Sequence, residues 1–195
     1  MYEQAYKDIG KGLRLVFFGE ILVTVASMFS WSVLSLAGLV LTLVGLSSAG
    51  RGDSGYRKAF AVTILNLAVT FAGGILAGVL LVFLPTLALA VLIGMILMVL
   101  ISVFNFLSTY YICTTSSALL AEREPSLSKQ AESLWKVMGA CIVVNTVFNF
   151  VLMLPFAATA ILAGGLNFLT YLVQAAAGIL YLIFLYKASD VFQNW

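Results

Sequence analysis

The chain contains no histidine, and only 9% of its 195 residues are charged. The first absence removes the commonest general base and the commonest metal ligand. Gly52-Asp53-Ser54-Gly55 therefore spells a serine-protease nucleophile string with no imidazole to activate it. The second absence excludes an ordinary soluble domain, where about 25% of residues are charged. A shell that must be largely polar cannot hide a chain that is 63% hydrophobic. Cysteine is scarce too. Cys113 and Cys141 both fall in or beside apolar runs and read as small packing residues rather than a disulfide. No carboxylate cluster, cysteine pair or glycine-rich phosphate cradle occurs, so no catalytic residue, metal or cofactor is expected and the chain does not read as an enzyme. A net charge of +2 gives no reason to expect nucleic acid. Met1 to Lys11 is mixed polar and lacks the apolar core and small-residue cleavage site of a signal peptide, which leaves insertion to the first span.

Long hydrophobic runs are what the sequence does have. Phe60 to Leu84 and Leu87 to Phe106 match the roughly 20 helical residues that cross a hydrocarbon layer. Lipid admits only helices and closed barrels, and barrel strands are about half as long and strictly alternating. The fold class expected is therefore all-α, a polytopic integral membrane protein in a single transmembrane domain. Leu13 to Ala49 is apolar for 37 residues, too long for one crossing, and reads as a hairpin with Ser30-Trp31-Ser32 at its tip. Six spans result, near 13–29, 33–49, 60–84, 87–113, 137–156 and 166–186. Gly50 to Gly55 is a polar loop in which Asp53 caps the third helix. Pro85 and Pro155 end the third and fifth spans, the fourth helix runs on to Glu122, Arg123 to Lys136 is a charged loop, and Ala163-Gly164-Gly165 opens the sixth span.

Six crossings place every charged connection on one side. Lys7, Lys11, Arg14, Arg51, Arg57, Lys58, Arg123, Lys129, Lys136 and Lys187 lie before or at the start of the first span, in alternate connections, or after the sixth span, whereas the segments around Trp31, Pro85 and Ala158 to Gly165 carry no charge. Basic loops stay cytoplasmic. Both termini are therefore expected in the cytoplasm, with the chain in a bacterial plasma (inner) membrane. Residues 1–12 form an amphipathic lead-in, with Tyr2, Ala5, Tyr6, Ile9 and Leu13 on one face. Leu127, Ala131, Leu134, Trp135 and Met138 repeat that pattern before the fifth span, and each lead-in is expected to lie along the headgroup layer.

The three hairpins read as an internal repeat. Lys11, Arg57 and Lys136 begin the odd-numbered spans, and nine residues after each comes Glu20, Asn66 or Asn145. Four further on stands Thr24, Thr70 or Asn149, on the same helical face. Glu20 is the one acid deep in a span, where an unpaired charge costs several kcal/mol. Asn66 and Asn145 are its expected partners. Tyr171, Gln174 and Tyr181 extend the polar set, and Gly74 with Gly78 forms a small-residue pair of the kind that lets helices approach. The site residues expected for a ligand or coupling ion are Glu20, Thr24, Asn66, Thr70, Asn145, Asn149, Tyr171 and Gln174. Asparagine and threonine pairs also serve as interhelical glue, so each has a structural reading beside the functional one. The function expected is transporter-like or solute-binding, for a small neutral or cationic molecule. The alternative is a non-transporting scaffold or a subunit of a larger membrane complex. Expected partners are the lipid bilayer, a small-molecule ligand, and another membrane protein or a second copy of the chain.

Overall fold

The computed structural model describes residues 2–29, 31–83, 87–152 and 157–194, and the side-chain surroundings of all of these except 2, 81–83, 87–91, 149–152 and 157–167. Six helices make up the described chain: α1 (Tyr2–Phe29), α2 (Ser32–Gly52), α3 (Ser54–Phe83), α4 (Leu87–Leu120), α5 (Pro125–Leu152) and α6 (Ala157–Gln193). There is no strand among the described residues. All six helices are long and apolar enough to cross a membrane. Each packs on its chain neighbours, α6 returns to α1, and the result is a closed ring in which α1–α2, α3–α4 and α5–α6 are the most extensive pairs.

The helices run further than the hydropathy pattern suggests. The 1–12 lead-in is continuous with the first span in α1, and it does not turn aside. Its apolar face is already covered by protein: Tyr6 stacks on Phe192 of α6 at 6.1 Å, and Ile9 and Leu13 are buried. Arg14 donates to Gln193 Oε1 at 3.3 Å on the same seam. The second lead-in behaves likewise. Leu127, Ala131 and Leu134 are buried, and Trp135 meets the Tyr110 ring edge-on at 5.1 Å. The expected charged loop over Arg123 to Lys136 shrinks to a turn ending at Glu124, because Pro125 suits the first position of a helix, where its missing N–H leaves no bond unmade. The expected loop at Gly50 to Gly55 contracts to Asp53 alone. Asp53 does cap α3, its Oδ1 accepting the Gly55 N–H at 2.6 Å. α6 passes unbroken through Gly164 and Gly165 rather than opening after them. Pro85 and Pro155, read as helix ends, lie outside the described residues.

The α1–α2 hairpin is sealed by a heptad of small residues. Ala5, Gly12, Gly19 and Ala26 recur along α1, opposite Gly52, Gly45 and Gly38 of α2 in antiparallel register. A Cβ on Gly12 would stand 2.5 Å from the Gly45 carbonyl oxygen, and one on Gly19 would stand 2.6 Å from that of Gly38. The two backbones touch. Gly74 and Gly78, expected to pack, instead have no atom within 4 Å of a built Cβ. Gly73, one residue earlier, is the position that meets Leu97 of α4.

Packing is uneven along the ring. The buried cluster (Ile9, Leu13, Val16, Leu46, Tyr56, Ile112, Leu134, Phe184 and their neighbours) lies toward the end that carries the charges. Toward the other end the ring loosens. From Thr70 to Val79, α3 is exposed on every face except that of Gly73 and Ala77. Gly94 of α4 and Gly178 of α6 also face open space.

Candidate functional site

Where the packed half of the ring gives way to the loose half, polar side chains converge from several helices. Glu20 stands one turn beyond the fully buried Val16 on α1 and is half-buried. Its neighbour on α2 is Thr42, which the small residues Gly38 and Gly45 bring close to α1. The Thr42 hydroxyl is within electrostatic reach of the Glu20 carboxyl but closes no hydrogen bond of good geometry, so its Oγ1 is buried without a partner. From α6, Tyr181 comes within electrostatic range of Glu20, and also of Cys113 on α4 and Tyr56 on α3. Tyr56 is fully buried and shares a 2.7 Å hydrogen bond with Ser116 of α4. Glu20, Thr42 and Tyr181 thus approach one another from α1, α2 and α6, with Tyr56, Cys113 and Ser116 on the packed side of them.

A second polar feature runs away from that group between α3 and α4. Beyond Tyr56 and Ser116, Thr63 and Ser108 share a 2.9 Å bond, and Asn66 donates to Asn105 Oδ1 at 2.8 Å. Residues 56, 63 and 66 fall on one face of α3, so the three bonds form a ladder. The Tyr56–Ser116 and Thr63–Ser108 pairs join hydroxyl to hydroxyl, and the third joins two amides, in which Asn66 Oδ1 remains buried and unpartnered. Gln174 Oε1 on α6 is in the same condition, two turns along the helix from Tyr181.

These positions divide the sequence-predicted set. Glu20 lies in the convergent group, beside Thr42 and Tyr181 rather than the expected Asn66 and Asn145. Asn66 instead pairs with Asn105, because α3 and α4 are hairpin neighbours and Glu20 sits across the ring. Asn145 is half-buried on α5. Thr24 and Thr70 do not enter a shared site. Each is exposed and donates back to its own helix, Thr24 to the Glu20 carbonyl and Thr70 to the Asn66 carbonyl, both at 2.8 Å. Tyr171 is 50% exposed and points away from the interior stripe of α6 formed by Thr170, Gln174, Ala177 and Tyr181. The side chain of Asn149 lies outside the described residues. Thr42 and the Tyr56–Ser116 pair were missed. The clue to Thr42 was its place midway between Gly38 and Gly45, on the face of α2 that those glycines open to close approach. Nothing comparable marked Tyr56, which the sequence places beside a supposed loop.

Among the described residues no group of histidine, cysteine, aspartate or glutamate side chains could hold a metal ion. Beside the Glu20 carboxyl stands the unpartnered Thr42 hydroxyl, and the Asn66 and Gln174 amide oxygens are buried acceptors without a partner further along the ring, as Trp135 Nε1 is a buried donor without one. The class defined by fold and site is an all-α ring of six apolar helices, each of membrane-crossing length, with polar side chains of α1, α2 and α6 approaching one another in its interior. No family model, curated protein or solved structure matches the chain.

Proposed function

We propose that the chain is an integral membrane protein whose six helices cross the bilayer as three hairpin repeats, with the charged end and both termini cytoplasmic, and that it binds a small cationic or neutral, hydrogen-bond-donating solute at the Glu20 site. The observation that carries the reading is the mismatch of donors and acceptors there. A buried acceptor without a partner costs about 1–3 kcal/mol, and Thr42 Oγ1 is one such atom beside the Glu20 carboxyl, with Asn66 Oδ1 and Gln174 Oε1 in the same condition further along the ring, so the interior can receive donors from elsewhere. Glu20 adds a carboxyl, which accepts a donor when neutral and pairs with a cation when ionised. Access comes from the loose half of the ring, which on this orientation opens away from the cytoplasm, while the buried cluster closes the cytoplasmic end. Charge on one end only supports the orientation. The matching backbone bonds of Thr24 and Thr70 support the repeat. An anionic substrate has no intramembrane Arg or Lys to receive it.

The α3–α4 ladder favours a second reading, a non-transporting scaffold or complex subunit in which polar groups only join helices, at about 0.6 kcal/mol per bond. Thermal unfolding in detergent against a series of small cations, from methylammonium to tetramethylammonium, with acetate as the anionic counterpart, separates the two. A cation at 100 times its Kd adds about 2.7 kcal/mol. The expected result is an upward shift of Tm with at least one cation and none with acetate, lost in Glu20→Gln while that variant's unliganded Tm stays near wild type. A large fall in the unliganded Tm of Glu20→Gln, with no cation response in wild type, would leave the scaffold reading.

A further inference from the structure

At the charged end, the seam between α2 and α3 opens into a cleft of about 270 Å³ lined by Leu46, Ser47, Gly50, Arg51, Arg57 and Phe60. We propose that this cleft is a phosphate-binding site for the headgroup of an anionic phospholipid, held between Arg51 of α2 and Arg57 of α3. The inference rests on the membrane orientation argued above, which sets the cleft at the cytoplasmic headgroup layer.

Each helix contributes one guanidinium to a single concavity. Gly50 lets α3 come close, since a Cβ there would stand 3.2 Å from the Arg57 Cα. Arg57 is tethered across the cleft by a long contact of 3.4 Å to the Gly50 carbonyl, which leaves most of its donors unused. Arg51 makes no ion pair or side-chain hydrogen bond among the described residues. The two arginines, both exposed, line the same cleft, and guanidinium forks match phosphate oxygens. No carboxylate lines the cleft to neutralise them. The nearby Asp53 is spent on capping α3 through its Oδ1.

The rest of the lining identifies the phosphate as a lipid's. Ser47 is exposed and offers one further donor, while the half-buried Phe60 supplies an apolar wall, backed by the fully buried Leu46. A soluble phosphate uses only the charged part, whereas a phospholipid fills both parts, its glycerol and first methylenes against Phe60. The missing carboxylate also sets selectivity. A zwitterionic headgroup brings an ammonium that finds only guanidinium groups, so a headgroup with net negative charge is favoured.

The test uses the full chain reconstituted into phosphatidylcholine vesicles and, in parallel, purified in detergent for lipid-retention mass spectrometry with phosphatidylglycerol, phosphatidylcholine or inorganic phosphate. The expected result is retention of phosphatidylglycerol over phosphatidylcholine. The preference should weaken about fivefold for each arginine removed, in Arg51→Gln and in Arg51→Gln with Arg57→Gln. It should be unchanged in Lys129→Gln, which alters net charge equally but stands away from the cleft. Arg51→Gln tests the site without disturbing the fold, since that side chain makes no bond of its own. Equal retention of both lipids, or equal losses from the arginine and lysine variants, overturns the site and leaves the membrane orientation intact. Saturation by inorganic phosphate with no further gain from phosphatidylglycerol overturns the lipid assignment. Failure to reconstitute into phosphatidylcholine vesicles overturns the membrane reading and this inference with it.

Discussion

Gly12→Leu is expected to unfold or open the first hairpin, lowering stability by about 3 kcal/mol or more. The cause is contact between backbones rather than lost interactions. A Cβ at this position would lie 2.5 Å from the Gly45 carbonyl oxygen and 2.6 Å from the Ala49 nitrogen, so neither neighbour can rotate aside as a side chain would. The helices must separate, and separation also breaks the register of Gly19 against Gly38. Small-residue seams of this kind drive helix association in lipid, where the solvent is as apolar as the side chains. Gly78→Ala is the matched comparison. Nothing lies within 4 Å of its built Cβ, so the substitution is expected to leave stability unchanged or raise it slightly through better helix propensity. Thermal melts of both variants in the same detergent check the pair. Equal effects would mean that the α1–α2 seam is not the close contact described.

Tyr56→Ala is expected to cost about 3–5 kcal/mol, and Tyr56→Phe only about 1. Tyr56 is completely buried among Ala59, Ile112 and Cys113 at the packed end of the ring, so truncation leaves a cavity bounded by several helices. Loss of the hydroxyl alone keeps that volume filled but deprives the fully buried Ser116 of its 2.7 Å partner. Adding Ser116→Ala to Tyr56→Phe removes the orphan as well, and should recover part of the loss. The measurement is again the unfolding free energy, and the recovery is its informative part. A double variant as unstable as the sum of its parts would show that the hydrogen bond is not formed.

Helix number was legible in the sequence because hydropathy over about 20 residues is a coarse, additive quantity. Helix ends were not. Hydropathy marks where a helix would leave lipid, whereas the ends of α1, α5 and α6 follow side chains such as Tyr6, Trp135 and Phe192, which continue packing past the apolar runs. The Gly12–Gly45 seam was hidden for a different reason. Its seven-residue spacing is visible only when two helices are aligned antiparallel, while the shorter Gly74–Gly78 spacing drew attention to a face that touches nothing. Glu20 was found because an acid deep in an apolar run has no neutral explanation. Its neighbours were not, since Thr42 and Tyr181 reach it through the order of helices around the ring, which spacing within one helix does not encode. Matching depth had suggested Asn66, but hairpin adjacency pairs that residue with Asn105 instead.

Six crossings with every basic segment at one face can be tested by labelling single cysteines in intact cells with a membrane-impermeant maleimide. Cys113 and Cys141 are 0% and 7% exposed and give little background. Ser32→Cys, at the uncharged turn, should be labelled from outside, whereas Ser54→Cys and Ser126→Cys should react only after the membrane is opened. Labelling of Ser32→Cys and Ser54→Cys from the same side would contradict the crossing count. The solute site and the lipid cleft would then lose the orientation on which both depend.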